Sequence, residues 1–408
     1  MGKKNRRQRA AVEEAVPWAG ASPTAEEARD TLLAAGYETA RGVPGAAKKH
    51  AKRLAPGLEL TAELASGAHQ AGQQLIARVC RGGWLPEDID QAARRHVDEF
   101  ARSYVLDTLA AHVERFAPET VHPRWREQLA EVGATHWWPE PHLTQWAAKH
   151  ILTPAEALTT VIEALGFLLP LPEVTLVLPV PGTASPGRPA PHAVDEKKLG
   201  RVRALLAKAE SSSFPEEAEA LSAKAQELMT RYALDRVLVE AGEAAPDVPA
   251  ARRIWLDTPY VDAKSLLVHV VAKADRCRAI FDPRWGFVTV VGDEADLDSV
   301  ELMTTSLLVQ ATRAMIADPA GRSRAFRKSF LVAYATRIGE RLDQAAATAV
   351  AESPDAARLL PVLASHELKV ESAFTTRFPE VVHKSVTVRS HEGWGAGREA
   401  ADRARLGE

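Results

Sequence analysis

The chain has 408 residues, enough for about two or three domains of roughly 100–200 residues each. Hydrophobic residues make up 46%, so sizeable cores can form and wholesale disorder is excluded. A net charge of −3 argues against a strong, chain-wide attraction to nucleic acid or to an anionic membrane. Cys80 and Cys277 are the only cysteines, which excludes a disulfide framework and a paired-cysteine metal knuckle.

The first nine residues carry Lys3, Lys4, Arg6, Arg7 and Arg9, but Val12-Glu13-Glu14-Ala15 follows instead of an apolar run. That pattern is no signal peptide, and no apolar stretch is long enough to span a bilayer, so the expected location is the cytoplasm. Residues 1–60 read as a basic, largely disordered region broken by Gly, Ala and Pro. One short helix is expected after Ser22-Pro23, where Thr24 and Glu27 have capping-box spacing.

Residues 61–169 read as a Trp-rich helical domain. Leu64, Ala68, Leu75 and Val79 follow one helical face up to a Gly82-Gly83 break. Pro86 with Glu87 and Asp88 marks the start of a second helix. Its apolar side is expected to include Ile89, Ala93, Val97, Phe100, Tyr104 and Leu109. Further helices are expected near 124–132, 143–150 and 154–168. Trp84, Trp125, Trp137, Trp138 and Trp146 are read as filling this domain's core, since no basic residues interleave with the Trp137-Trp138 pair.

Residues 170–194 contain seven prolines, from Pro170 to Pro191, and read as a linker at a domain boundary. Val174-Thr175-Leu176-Val177-Leu178 could pair as one strand.

Residues 195–240 read as two antiparallel helices. Leu199, Val202, Leu205, Leu206 and Ala209 form the first stripe. Ser213 and Glu216 cap a second helix striped by Ala218, Leu221, Ala225, Leu228, Met229 and Tyr232. The run from Leu199 to Glu210, followed by Glu216 to Met229 and Tyr232, resembles the domain of unknown function 2786. The flanks are similar to the actinobacterial, multi-domain form of that family. The similar stretches are Gly83 to Ile89, Arg327-Lys328-Ser329-Phe330, Arg337 to Leu342, and Gly393 to Arg398. The resemblance implies an architecture and no activity.

Residues 253–408 read as an α+β domain. A helix near 262–275 leads to a hairpin, with Cys277 to Phe281 and Phe287 to Val291 as strands around an Asp282-Pro283-Arg284-Trp285-Gly286 turn. Asp293 or Asp296 is expected to cap the next helix. A long helix from Ser323 to Ala351, a strand near 359–364, a helix near 366–376 and a last helix from about 395 complete the expectation. The fold class is therefore mainly α, with a small β-hairpin in the C-terminal domain.

Few residues point to chemistry. None of the thirteen histidines sits in a two-histidine helical zinc motif, and His366-Glu367 lacks its second histidine. A metal site assembled from distant histidines stays open, and neither a metal nor a cofactor is called for. There is no Gly-x-Ser-x-Gly elbow. Ser329 lies inside a helix, and Cys277 opens a strand and is expected to be buried. Gly393-Trp394-Gly395-Ala396-Gly397 precedes the expected last helix, so Gly395, Gly397 and Arg398 form a candidate anion site.

Basic helices give the leading expectation. Residues 195–209 carry Lys197, Lys198, Arg201, Arg203 and Lys208 against Asp195 and Glu196, whereas 210–240 is acidic. Residues 320–345 add Arg322, Arg324, Arg327, Lys328, Arg337 and Arg341. The expected function is a non-catalytic binding protein that contacts nucleic acid through Lys198, Arg201, Arg324, Arg327 and Lys328. The alternative is a protein–protein or regulatory scaffold, and an enzyme with an unrecognised C-terminal site comes third.

Overall fold

The computed structural model describes residues 23–55, 59–184, 249–351, 356–382 and 388–404, with Arg201, Ala204, Leu205 and Lys208 between them. Thirteen α-helices and one three-stranded antiparallel sheet lie among these residues. The fold is mainly α, with the sheet confined to the C-terminal part. The chain divides into two compact units, residues 1–187 and 188–408.

Eight helices form the first unit: α1 (Ala25–Ala40), α2 (Ala46–Leu54), α3 (Ala62–Arg81), α4 (Pro86–His96), α5 (Glu99–Val113), α6 (Pro123–Glu131), α7 (His142–Lys149) and α8 (Pro154–Leu168). Their starts are written in the sequence. Thr24 with Glu27 and Thr153 with Glu156 make capping boxes, and Thr61 and Asp98 cap α3 and α5. Helix α1 packs on α3 and α8, and it buries Ala28, Leu32 and Ala35. Residues 25–54 are thus two packed helices, not part of a largely disordered region. The apolar face of α1, together with Gly67 of α3 set against Ala28, supplies the burial that drives the ordering.

The second expected helix is two. Val97 is extended, and the Asp98 carboxylate accepts the Ala101 N–H at 2.8 Å, which starts α5 afresh. Phe100 is consequently turned outward and 42% exposed. Trp84, Trp125, Trp138 and Trp146 are buried, and Trp137 is the exposed member of the group. The segment 174–178 forms no strand. A backbone tie at Val174 runs to the Gly82 carbonyl, and indole N–H groups pin its neighbours, Trp84 to Pro172 O and Trp125 to Pro179 O.

No single helix among the described residues is long and apolar enough to cross a membrane. The apolar pair α7 and α8 supplies core residues Leu143, Trp146, Val161 and Leu165.

The second unit is built on β1 (Ala250–Trp255), α9 (Val261–Ala274), β2 (Arg278–Asp282), β3 (Phe287–Gly292), α10 (Glu294–Ala317), α11 (Arg324–Ala351), α12 (Ala356–Arg377) and α13 (His391–Asp402). The β2–β3 hairpin forms where the sequence places it, with the Asp282 carboxylate accepting the Arg284 and Trp285 N–H groups in the turn. Strand β1 is an addition, antiparallel to β3 and aligning Ala250 with Gly292. The central strand β3 is buried along its whole length. Val288 and Val290 face a core shared with α9, α10 and α11. Arg252, on that same face, is clasped by Glu294, Asp298 and Glu301, one stripe of α10.

Two further expectations fail. Residues 359–364 are helical, inside α12, because the Leu-Leu-Pro-Val-Leu run is flanked by helix formers and meets no strand partner. The glycine run lies inside α13, which starts at Ser390 and not near 395. A Cβ on Gly393 would stand 2.5 Å from the Phe326 carbonyl oxygen, and one on Gly397 would strike the Phe330 carbonyl. These glycines let α13 approach the backbone of α11. Gly395 faces open space.

Two measurements test this packing. Gly397→Ala should destabilise the chain by about 1–3 kcal/mol through overpacking, while Gly395→Ala should stabilise it by up to ~1 kcal/mol through helix propensity. Urea unfolding reads both, and equal effects would contradict the seam. In the first unit, burial pushes the imidazole of His112 down to about 4, helped by Arg115 and Arg81. His112 is neutral in the fold and takes up a proton on unfolding, so its contribution is present above pH ~6.5 and is lost as pH falls towards 4. His112→Gln should therefore flatten the acid limb of the stability profile between these values. An unchanged slope would show that His112 does not set that limb.

Candidate metal centre

Three ligand-bearing side chains meet where β3 runs into α10. Strand β3 ends at Gly292, and Asp293 is extended at the N-cap position of α10. Its carboxylate does not cap the helix. It turns instead to His366 on α12, with Nε2 to Oδ2 at 2.6 Å. Asp296, in the first turn of α10, is 4% exposed and accepts from Nη2 of Arg276 at 3.1 Å. The ligand atoms of Asp293, Asp296 and His366 all lie within 4.8 Å of one another.

The local sequence explains this convergence. Helix α9 ends at Asp275, and Arg276 takes a left-handed conformation (φ 60°) that turns the chain back. The Cys277 N–H closes onto the Ala272 carbonyl at 2.7 Å, and β2 begins. That turn delivers the Arg276 guanidinium to Asp296 and seats the Cys277 thiol against Gly292, where a Cβ would not fit. Cys277 is buried, and burial together with the nearby Asp296 carboxylate raises its thiol well above the usual range. The thiol is therefore protonated and unreactive at neutral pH.

Chemically, the cluster offers two carboxylates and an imidazole. His366 presents an unusual atom: its Nδ1 is buried and meets no hydrogen-bond partner among the described residues. Buried ring nitrogens are ordinarily satisfied. Nε2 is the ring nitrogen set against the Asp293 carboxylate, and an ion held there would take the place of that hydrogen bond.

The residues singled out from the sequence lie elsewhere. Lys198 falls outside the described residues. Arg201 is exposed on a helical turn, and Arg324 is exposed at the first residue of α11. Arg327 donates to the Gly321 carbonyl, closing the turn before α11, and Lys328 pairs with Asp262 at 2.5 Å. Arg337 pairs with Asp402 and Glu340, and Arg341 donates to the carbonyls of Ala401, Asp402 and Ala404, capping α13. Ser329, inside α11, accepts the N–H groups of Arg389 and Ser390 and so positions the start of α13.

The candidate anion site does not assemble. Gly395 and Gly397 lie within α13, where the backbone N–H groups beyond the first turn are spent on the helix. Arg398 grips both oxygens of Glu340 at 3.0 and 2.9 Å. Arg398, with Arg337, draws the Glu340 carboxyl down to about 2.

Sequence reasoning passed over Asp293, Asp296 and His366 as a group. The Asp-x-x-Asp spacing reads as a helix start, and His366 comes 73 residues after Asp293. The one legible signal was an acidic pair placed directly after a strand.

No curated protein and no solved structure matches the chain. Residues 197–236 match the model of a family described as a protein of unknown function, DUF2786. That match falls on the helix pair from which the resemblance was read.

Proposed function

We propose that this chain is a binding protein whose C-terminal unit takes a divalent transition-metal ion at Asp293, Asp296 and His366. The observation that carries the reading is the convergence of the Asp293 and Asp296 carboxylates and a His366 ring nitrogen within 4.8 Å of one another, on a histidine whose Nδ1 is buried and meets no partner among the described residues. A mixed oxygen and nitrogen donor set suits Zn²⁺, Mn²⁺ or Fe²⁺ better than Ca²⁺ or Mg²⁺, which prefer oxygen alone. Three protein ligands leave coordination positions for water or a ligand. Arg276 supports the site as the counter-charge that keeps Asp296 in place when no ion is bound.

A cytoplasmic location belongs to the same reading. Cys80 and Cys277 are free, buried thiols, which suits a reducing compartment.

Isothermal calorimetry of the metal-stripped chain against Zn²⁺ and Mn²⁺ tests the proposal. One ion per chain is expected, and His366→Ala should weaken binding by roughly ten- to a hundredfold. Equal affinity in wild type and His366→Ala, with the fold intact by circular dichroism, would assign any bound ion to another place.

Exposure of Arg201 and Arg324 favours a second, narrower reading, that of nucleic-acid contact through basic helices. Arg327 and Lys328 are engaged within the unit and serve it less well. Reversing Arg324 to Glu should weaken salt-sensitive binding of a short oligonucleotide, measured by fluorescence anisotropy, without loss of stability. Lys328→Glu should instead place like charges at Asp262 and lower the unfolding midpoint. If Arg324→Glu leaves oligonucleotide binding intact, that residue has no part in an interface.

A further inference from the structure

Helix α12 is held differently from the other described helices of its unit. Helix α13 lies on α11 through glycines in backbone contact, and α9 buries Ala263, Leu267, Val268, Val271 and Ala272. Among the described side chains of α12, Val370 alone is buried, and Leu368 is 71% exposed. The remaining ties are polar. They are His366 to Asp293, Arg278 to Glu371 at 2.5 Å and to Glu367 at 3.6 Å, and Arg377 Nη2 to the Pro249 carbonyl at 2.8 Å.

All of these ties fall at one end of the sheet. Gly292, Ala250 and Arg278 are neighbours across the register there, with Arg278 opposite Val291. Helix α12 therefore crosses that end as a strap. The Arg278 pairs are solvent-exposed, and pairs of that kind contribute little. A helix with few buried apolar contacts and exposed polar ties belongs to the low-stability end of a fold.

Of the three metal-ligating side chains, Asp293 and Asp296 belong to the head of α10, which continues directly from the buried strand β3. His366 alone belongs to α12. We propose that α12 is a metal-fastened strap: an ion held by Asp293, Asp296 and His366 ties α12 to the head of α10, and without the ion the helix lifts from the end of the sheet. The inference rests on the metal reading above. Its physical content is linkage. The complete ligand set exists only with α12 docked, so the ion stabilises that arrangement over the lifted one. By reciprocity, anything that loosens α12 weakens the ion.

Hydrogen–deuterium exchange of the full chain, with Zn²⁺ or with EDTA, tests the strap, with calorimetry run on the same samples. Zn²⁺ should slow exchange across 356–377 severalfold and leave α9 and the N-terminal part of α11 unchanged. His366→Ala should abolish the difference. The double variant Glu367→Gln, Glu371→Gln touches no ligand, yet it should weaken Zn²⁺ severalfold by loosening the helix. Calorimetric binding with unchanged exchange in α12, or unchanged affinity in the double variant, overturns the strap and leaves the site standing. Absence of calorimetric binding overturns the site and the strap together.

Discussion

The thiol of Cys277 fills the space where a side chain on Gly292 would stand, and the geometry of the C-terminal unit depends on that contact. It brings the end of α9, the start of β2 and the end of β3 to one point. From there α10 runs on from β3, with the Asp296 carboxylate beside Arg276. A larger residue at 292 would push β3 away from Cys277 and spread Asp293 and Asp296 from the guanidinium and the imidazole that now face them. The arrangement of Asp293, Asp296 and His366 thus depends on packing between a glycine and a cysteine that lie outside the group.

Arginine does much of the internal wiring. Arg252 holds three carboxylates along α10, Arg341 caps the last carbonyls of α13, and Arg78 donates to the carbonyls of Leu168, Leu169 and Leu171 at the end of α8. A guanidinium suits these tasks because its planar array of donors can serve several oxygens at once. The consequence for function is direct. Basic residues counted along a helix overstate its outward charge when the neighbouring helices supply carboxylates and carbonyl ends to meet them. In 320–345, Arg327, Lys328, Arg337 and Arg341 are all consumed in this way, and the basic appearance of that sequence is largely a record of helix packing.

Local signals carried much of the architecture. Capping boxes at Thr24 and Thr153, the Pro86 start and the Asp282 turn depend on residues within a few positions of one another, and the structure has them where the sequence puts them. Features set by distant partners were not legible. Strand β1 exists because β3 offers it an edge, and Ala250-Ala251-Arg252-Arg253 carries no strand signal of its own. The run at 359–364 is apolar enough for a strand but finds no edge, so the helix formers around it prevail despite Pro361. The glycines of α13 read as a loop until the α11 backbone is placed against them. The candidate centre is the extreme case, since its ligands come from two elements and the histidine belongs to a helix that the sequence divides into a strand and a shorter helix.

The DUF2786 segment meets the same unit. Arg201, Ala204, Leu205 and Lys208 are helical, and Leu205 packs against the core that holds Val288, Val290 and Phe330. At Leu205 an apolar residue of the matched segment finds its partner in another part of the chain. Leu205 belongs to the apolar stripe read from the sequence, and the C-terminal core is what it is partly buried against. A ligand that reorganises the end of the sheet acts on the core against which Leu205 is packed.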